Sequence, residues 1–479
     1  MILRKINKAD LPVRVAWMND PRVFSSMNFL PPISLEGTEQ WYERISSSNS
    51  RFDVTFVDND NNILAFGGLT NIDYTRGIRK AEFYVFVDPN RQKQGIGSLS
   101  TALLCKYAFD ILQLHKVYLY TNDTNIGAQH TYEKVGFKLE GRHREEKLRD
   151  QKYEDRLYYG LLSSELNSAI LPKDSQDSNY MLIDTIKIGS DSVKILRDDT
   201  YPQIGGGIKS RKSVFYEQYM YFNGFNAAVT TGGIQSNHNR TIALMCARNG
   251  WPCHLVYHGT RERFEAEKGN ALLARMAGAT NEFVEAKNIG PSMDAAMERF
   301  KNKGLKPMYV TGGGHDLPGG LALVNAVKLL KEQCDKIGYK PNYIVHASGT
   351  GSTQAGIAVG LDLVGWSDVH LIGVSIARQK ERGTQVIVDF ANMLAKHCGL
   401  EKDYSGKIDF RTDWLCGGYE SFTLEMAQFI AETTRKTGIV FDTTYSGKAL
   451  FGMSQMMKSG EISGNILFWH TGGIMNVMN

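Results

Sequence analysis

The chain has 479 residues, 42% hydrophobic and 22% charged, with a formal net charge of +4. That length exceeds one ordinary core and predicts two or three domains, and the composition excludes a disordered or low-complexity chain. Lys and Arg are interspersed with Asp and Glu, so nucleic acid is not an expected partner. No apolar run approaches the roughly 20 residues that span a bilayer. The start, Met1 to Lys8, lacks the apolar core of a secretion signal, so a cytoplasmic protein is expected. Six cysteines are scattered without a C-x-x-C pair or a His at ligand spacing, which reads as reduced thiols and no metal site.

In chain order, a helix is predicted over residues 9–18, followed by alternating strands over 53–57 and 63–68 joined by the Asp-Asn turn 58–62. Another strand over 82–87 leads through Gln92-Lys93-Gln94-Gly95-Ile96-Gly97 into a helix over 98–112. Glycines between strand and helix allow close backbone approach, and free amides with the helix dipole behind them suit a pyrophosphate. A strand over 116–121 then precedes Asn125-x-x-Ala128-x-x-x-Tyr132-Glu133-Lys134-x-Gly136-Phe137. Residues 163–179 are poor in apolar side chains and rich in turn formers, so they read as a linker with a domain boundary near Lys173.

The order of Trp41-Tyr42, Gln92 to Gly97, Tyr107-Ala108-Phe109, Tyr132 to Phe137 and Glu140-Gly141 resembles the GNAT superfamily of acyl-CoA N-acetyltransferases, over Met1 to about Leu162. Within it the similarity is to the branch that acetylates ribosomal-protein N-termini and nucleotide-linked amino sugars. The resemblance implies acetyl-CoA as cosubstrate, with Gln92, Gly95 and Gly97 in the turn that holds its pyrophosphate, Asn125 at the pantetheine arm and Tyr132 protonating the departing thiolate. A phenol near the sulfur is a sensible acid, and Glu82 is the candidate for deprotonating the amine through water.

Beyond the linker, short apolar strands predicted over 227–230, 253–257, 308–310, 343–346, 370–374 and 466–469 alternate with helices, which predicts a parallel sheet covered on both faces. Glycine clusters sit where those strands end, the place where open α/β sheets bind ligands. Lys209 follows Gly205-Gly206-Gly207-Ile208, so close-packed backbone can desolvate its stem and lower the amine's pKa. Gly349-Thr350-Gly351-Ser352-Thr353 lies between a strand and a helix, so its amides and hydroxyls converge on a dianion, and Lys212 can add charge. A lysine for an imine and a cradle for a phosphate are what pyridoxal phosphate requires.

Leu196 to Asp199, Gly206 to Lys212, Gly232 to His238, Gly312 to Gly314, Thr350 to Gly356, Tyr445-Ser446-Gly447-Lys448 and His470 to Gly473 together resemble the D-cysteine desulfhydrase and 1-aminocyclopropane-1-carboxylate deaminase family. That family has the tryptophan-synthase-β-like fold of pyridoxal phosphate enzymes. The resemblance implies that Lys209 forms the imine and that Asn237 bonds the ring hydroxyl. It places Ser236 at the substrate carboxylate and α-carbon, Tyr445 near the substrate and Ser446 against the pyridine nitrogen. Ser and Asn also favour helix N-caps, and both roles can hold at once. A hydroxyl at position 446, where ring-opening deaminases carry an acid, argues for β-elimination or β-replacement on a small, D- or L-, amino acid. Ile208, where the family usually has asparagine, and a trimmed first strand depart from the pattern.

The expected architecture is therefore an α/β two-part chain: an N-terminal α+β GNAT domain (1–165), a linker (166–180) and a C-terminal α/β fold type II pyridoxal phosphate enzyme with two subdomains (181–479). Small amino acids and amines are the expected substrates, no membrane partner is expected, and the resemblance implies a homodimer through the C-terminal halves. Two alternatives stay open: a cyclopropane deaminase or non-catalytic ligand sensor in the second half, and protein N-termini as acetyl acceptors in the first.

Overall fold

The computed structural model describes residues 1–27, 30–149, 151–172 and 179–478. The chain folds as two compact units, Met1–Gln176 with Tyr221–Gly224, and Asp177–Met220 with Phe225–Asn479. Within the expected linker lie two short 3-10 turns, Ser163–Glu165 and Ser168–Ile170. The boundary expected near Lys173 falls outside the described residues.

In the first unit, β1 (Ile2–Lys5), β2 (Phe52–Val57), β3 (Ile63–Asp73), β4 (Lys80–Val87), β5 (Lys116–Asn122), β6 (Lys138–Arg149) and β7 (Lys152–Leu162) form one sheet in the order β1-β2-β3-β4-β5-β7-β6. Helices α1 (Leu11–Met18) and α2 (Leu35–Ser46) pack Leu11, Trp17 and Trp41 against Phe66 and Phe86 of the sheet. Only β4 and β5 pair in parallel, which requires a crossover, supplied by α3 (Ile96–Asp110) with its buried Ala102, Leu104, Cys105 and Ala108. That pairing covers only Lys80–Glu82 against Lys116–Tyr118. Beyond it both strands continue unpaired with each other, so the sheet splits, and α4 (Ile126–Val135) follows the open end of β5.

The β6–β7 hairpin is not legible as sequence. KLEGRHREEKLR has no apolar alternation because most of β6 faces solvent, whereas the ladder partner β7 buries Leu157, Tyr159 and Leu161.

The second unit holds two sheets rather than one. β10 (Ala227–Gly233), β11 (Cys253–His258), β12 (Thr280–Val284) and β13 (Pro307–Tyr309) make a parallel sheet in the order β12-β11-β10-β13. The second sheet runs β16-β15-β14-β17-β9-β8, built from β8 (Ile183–Ile188), β9 (Asp191–Arg197), β14 (Tyr343–Ser348), β15 (His370–Ser375), β16 (Asp409–Arg411) and β17 (Ile466–His470). Only the edge strand β8 is antiparallel there. Strand ends feed helices: β9 leads to α5 (Ile208–Asn223), β10 to α6 (Asn237–Arg248) and β14, beyond α7 (Leu317–Lys336), to α8 (Ser352–Leu363). Carboxyl ends of parallel strands are where α/β sheets place ligands.

The turn before α5 is held from below. Gly205, Gly206 and Gly207 all have positive φ, and a Cβ at Gly206 would lie 2.4 Å from the Asp199 carbonyl, so only glycine fits. Arg240 donates from Nη1 to the Gly205 carbonyl (2.9 Å) and from Nη2 to the Gly206 carbonyl (3.1 Å). Asp198 accepts from Arg211 Nε (3.2 Å) and Trp469 Nε1 (2.8 Å), and its own carbonyl accepts from Gly207 N (2.8 Å). Both charges of this ion pair are almost fully buried. Removing one member of a buried pair leaves the other charge uncompensated, so Asp198→Ala is expected to destabilise the second unit by ~3–5 kcal/mol, read from the midpoint of denaturant unfolding.

Candidate active sites

A cavity of about 1080 Å³ in the first unit lies where the sheet splits, lined by Tyr84 to Val87 of β4 and Tyr120 to Asn122 of β5. Gln92, Gly95, Gly97, Asn125, Tyr132 and Glu82, the six residues singled out in this part of the sequence, all line it. Gly95 is the N-cap of α3, so the first amides of that helix have no side-chain cap and face the cavity end of the turn. Asn125 caps α4, its Oδ1 accepting from Ala128 N at 3.2 Å. Tyr132 is buried beside Phe83, and burial pushes its phenol up to about 12, so it keeps its proton at neutral pH. Glu82 is half-buried and accepts from Asn71 Nδ2 at 2.8 Å. Arg14, Arg51, Tyr84 and Arg156 also line the cavity, and no motif marked them.

In the second unit Lys209 stands half-buried in the first turn of α5, its Nζ donating to the Gly313 carbonyl at 2.6 Å. Burial lowers this amine to about 8, against the opposing attraction of Asp316. Lys212, one turn on, donates to Ser352 Oγ (2.7 Å) and reaches the Gly313 and Gly314 carbonyls at 3.4 Å. Burial, then repulsion from Lys209, holds it well below the ordinary lysine range. Asp316 accepts from the Tyr216 hydroxyl and from Thr311 N (3.1 Å), and its own burial raises it. A Cβ at Gly313, where φ is +72°, would lie 2.7 Å from Thr350 Oγ1, so glycine keeps this floor open.

Thr350 Oγ1 lies 3.4 Å from Ser352 Oγ at the N-terminus of α8, whose N-cap is Gly351. The Thr350 and Ser352 hydroxyls and the buried Lys212 amine thus gather at the N-terminus of α8, where a helix leaves its first amides without intrahelical partners. Buried Lys212 and half-buried Lys209, with Asp316 the carboxylate that acts on both, form a donor set that a dianion completes, so the residues present fit a pyridoxal phosphate.

Ser236 is the N-cap of α6, its Oγ accepting from Asn239 N at 3.2 Å. Asn237 Nδ2 donates to Asn476 Oδ1 (2.7 Å), in the 3-10 turn Ile474–Asn476. Tyr445 OH lies 2.5 Å from Tyr419 OH, and burial raises both phenols, that of Tyr419 to about 12. Ser446, the first residue of α9 (Ser446–Lys458), donates from Oγ to Asp442 Oδ1 at 2.7 Å. Burial lifts Asp442 to about 6 despite amide hydrogen bonds from residues 444–446. The hydroxyl at 446 is therefore not isolated from charge: a carboxylate stands directly behind it. One segment ties these parts together. The Thr471 carbonyl accepts from Ile208 N (2.9 Å), Gly473 lies against the Asp442 carboxylate, and Asn476 holds Asn237. Tyr419 and Asn476 lie outside every motif the sequence offered, and Asp442, which opens the segment Asp442 to Lys448, was given no role there.

Fold and sites define a GNAT acetyltransferase domain followed by a fold type II pyridoxal phosphate enzyme. Residues 186–472 match the pyridoxal-phosphate dependent enzyme family, and residues 1–138 match the acetyltransferase (GNAT) domain family. The chain belongs to the pyridoxal-phosphate dependent enzymes. It is 32% identical over 283 residues to a 1-aminocyclopropane-1-carboxylate deaminase of Ralstonia nicotianae, covering 56% of this chain and 82% of that one. A solved ACC deaminase homologue, 29% identical, superposes with a TM-score of 0.55 over 62% of this chain and 90% of its own. The first unit is similar to the spermidine N-acetyltransferase of Vibrio cholerae solved with CoA and spermine, 29% identical over 34% of this chain and 95% of that one, with a TM-score of 0.33. Among the described residues no helix is long and apolar enough to cross a membrane.

Proposed function

We propose that the chain is a two-activity enzyme: residues 1–165 transfer an acetyl group from acetyl-CoA to an amine, and residues 181–479 eliminate or replace the β-substituent of a small amino acid, as a D-cysteine desulfhydrase does. In the second half Lys209 carries the cofactor. Lys212, Thr350, Ser352 and the amides of Gly349, Gly351 and Thr353 hold its phosphate, with Asn237 at the ring hydroxyl and Ser446 at the ring nitrogen. Bound there, the cofactor supplies an electron sink for charge developing at the substrate α-carbon. Ser236, at the N-terminus of α6, binds the substrate carboxylate. The Lys209 amine, lowered to about 8 by burial, removes the α-proton, and Tyr445 stands beside the substrate as a stacking or proton-transfer group. In the first half Gln92, Gly95 and Gly97 hold the CoA pyrophosphate, Asn125 the pantetheine arm, Tyr132 protonates the thiolate and Glu82 takes the amine proton through water. The resemblance of the second half supports a homodimer.

The observation that carries the β-elimination reading is the hydroxyl of Ser446, bonded to Asp442 at 2.7 Å rather than replaced by a carboxylate. A carboxylate in contact holds a ring nitrogen protonated; one held a hydrogen bond further back does so less, which favours early departure of a β-substituent over a long-lived carbanion. The relatives' names favour a second reading, cyclopropane ring opening, for which Asp442 would be the acid. The test is a substrate panel of D- and L-cysteine, β-chloroalanine, O-acetylserine, D-serine and aminocyclopropane carboxylate, following pyruvate, ammonia and sulfide. Turnover of at least one β-substituted substrate is expected to exceed that of the cyclopropane by on the order of 100-fold. Cyclopropane turnover equal to or above it assigns the second reading.

A further inference from the structure

Arg14 is a buried guanidinium without a carboxylate of its own. It is 5% exposed and lines the cavity of the first unit. Its Nε and Nη1 have no hydrogen-bond partner, and its Nη2 makes only a long contact of 3.4 Å to Tyr84 OH. The charge lies among rings, 4.6 Å from the centroid of Trp41 and 5.1 Å from that of Phe86. The nearby carboxylate, Asp53, is already engaged: it accepts from Arg51 Nε (2.6 Å) and Nη2 (3.0 Å) and from the Tyr84 hydroxyl. Two cations therefore share one anion. Burying such an excess is costly unless a further anion arrives.

Apart from Glu82 the other charged side chains of the described lining are cations, of which Arg22, Arg91 and Arg156 pair with Asp20, Asp88 and Glu146. Arg22, Arg91 and Lys93 flank the turn assigned to the CoA phosphates, but Arg14, Arg51 and Arg156 stand on the Trp41, Tyr84 and Tyr120 side. Arg156 Nε also lacks a partner. Glu82 is the only carboxylate among the lining residues. Glu82 and Tyr84 share one face of β4, two residues or about 7 Å apart. An amine beside Glu82 thus has a guanidinium within the reach of a small molecule.

Resting on the acetyltransferase reading above, we propose that the acetyl acceptor is a small amine bearing a carboxylate or phosphate, bound through that anion by Arg14 and discriminated from neutral amines and polycations. In the reaction the amine nitrogen forms a bond to the thioester carbonyl carbon and the C–S bond breaks. The amine proton leaves toward Glu82 and the thiolate takes the Tyr132 proton, giving the N-acetyl product and free CoA thiol.

The test uses the full chain and thiol release from acetyl-CoA. Acceptors come in matched pairs with and without the anion: an α-amino acid against its amide, an amino-sugar phosphate against the free amino sugar, with spermidine and a peptide N-terminus alongside. Anionic members are expected to react with kcat/KM at least tenfold above their neutral partners, and whichever pair shows the effect separates carboxylate from phosphate. Arg14→Gln is expected to bring that ratio toward one by raising the acceptor KM, with the KM for acetyl-CoA unchanged, while Arg14→Lys keeps part of it. Neutral amines, spermidine or the peptide reacting equally well or better, no acceptor reacting although calorimetry shows CoA binding, or an unchanged ratio in folded Arg14→Gln, would each overturn the proposal. If that variant does not fold, the wild-type ratio decides alone. Failure to bind CoA at all would instead overturn the acetyltransferase reading.

Discussion

Lys209→Ala is expected to abolish the cofactor's visible band at roughly 410–430 nm and to lower turnover of any amino acid by on the order of 10³-fold or more, with acetyl transfer unchanged. The reason is positional. The Lys209 amine is held on the Gly313 carbonyl, and the amine of Lys212 is turned to Ser352 at the N-terminus of α8. On the proposed reading Lys212 would be committed to the phosphate and could not replace Lys209. Burial also fixes the pH behaviour. The neutral, reactive form of Lys209 gains population as pH rises through about 8, whereas an exposed lysine would need pH above 10. Cofactor capture by stripped protein, followed by absorbance, is expected to rise from pH 6.5 to about 8 and then level off. A rate still climbing to pH 10 would show an amine open to water.

Tyr132→Phe is expected to lower acetyl transfer about 10²-fold or more, with little change in the KM for acetyl-CoA. The phenol lies in the cavity wall at the split between β4 and β5, with its proton retained up to about pH 12 by burial. Phenylalanine preserves the packing against Phe83 and removes only the hydroxyl, so thermal stability serves as the control. Loss of acetyl transfer together with a fall in melting temperature would instead mark the ring as structural. Preserved acetyl transfer would assign thiolate protonation to water or another group.

The parts legible in the sequence share a physical property: each is a stretch set by its backbone conformation. Gly95 at the start of α3, Gly351 at the start of α8 and the triple glycine before Lys209 announce themselves because glycine adopts their positive φ angles without strain. Strand positions over 227–230, 343–346 and 466–469 were legible because strands buried on both faces are continuously apolar. Side chains that act on one another across long chain separations leave no such trace. Tyr419 and Tyr445 meet by hydroxyls, Asn476 reaches Asn237 across 239 positions, and Arg14 meets Tyr84 across 70. The charge behind Ser446 was hidden for a different reason. Asp442 opens the same segment as Ser446, but only the fold shows its carboxylate accepting a hydrogen bond from the serine hydroxyl. The division of the second half was implied by the family resemblance, with its two subdomains, and not by the strands themselves, since strand pairing is set by topology and not by any one strand's composition.

The segment from Thr471 to Asn476 braces the lysine turn, the Asp442 carboxylate and the Asn237 amide at once. Substitutions there and at those three places should therefore be epistatic: a first change relaxes the shared brace, and a second finds less left to lose. Evolutionary drift in this hexapeptide would retune all three neighbours in concert, giving the site a single lever for altering its selectivity.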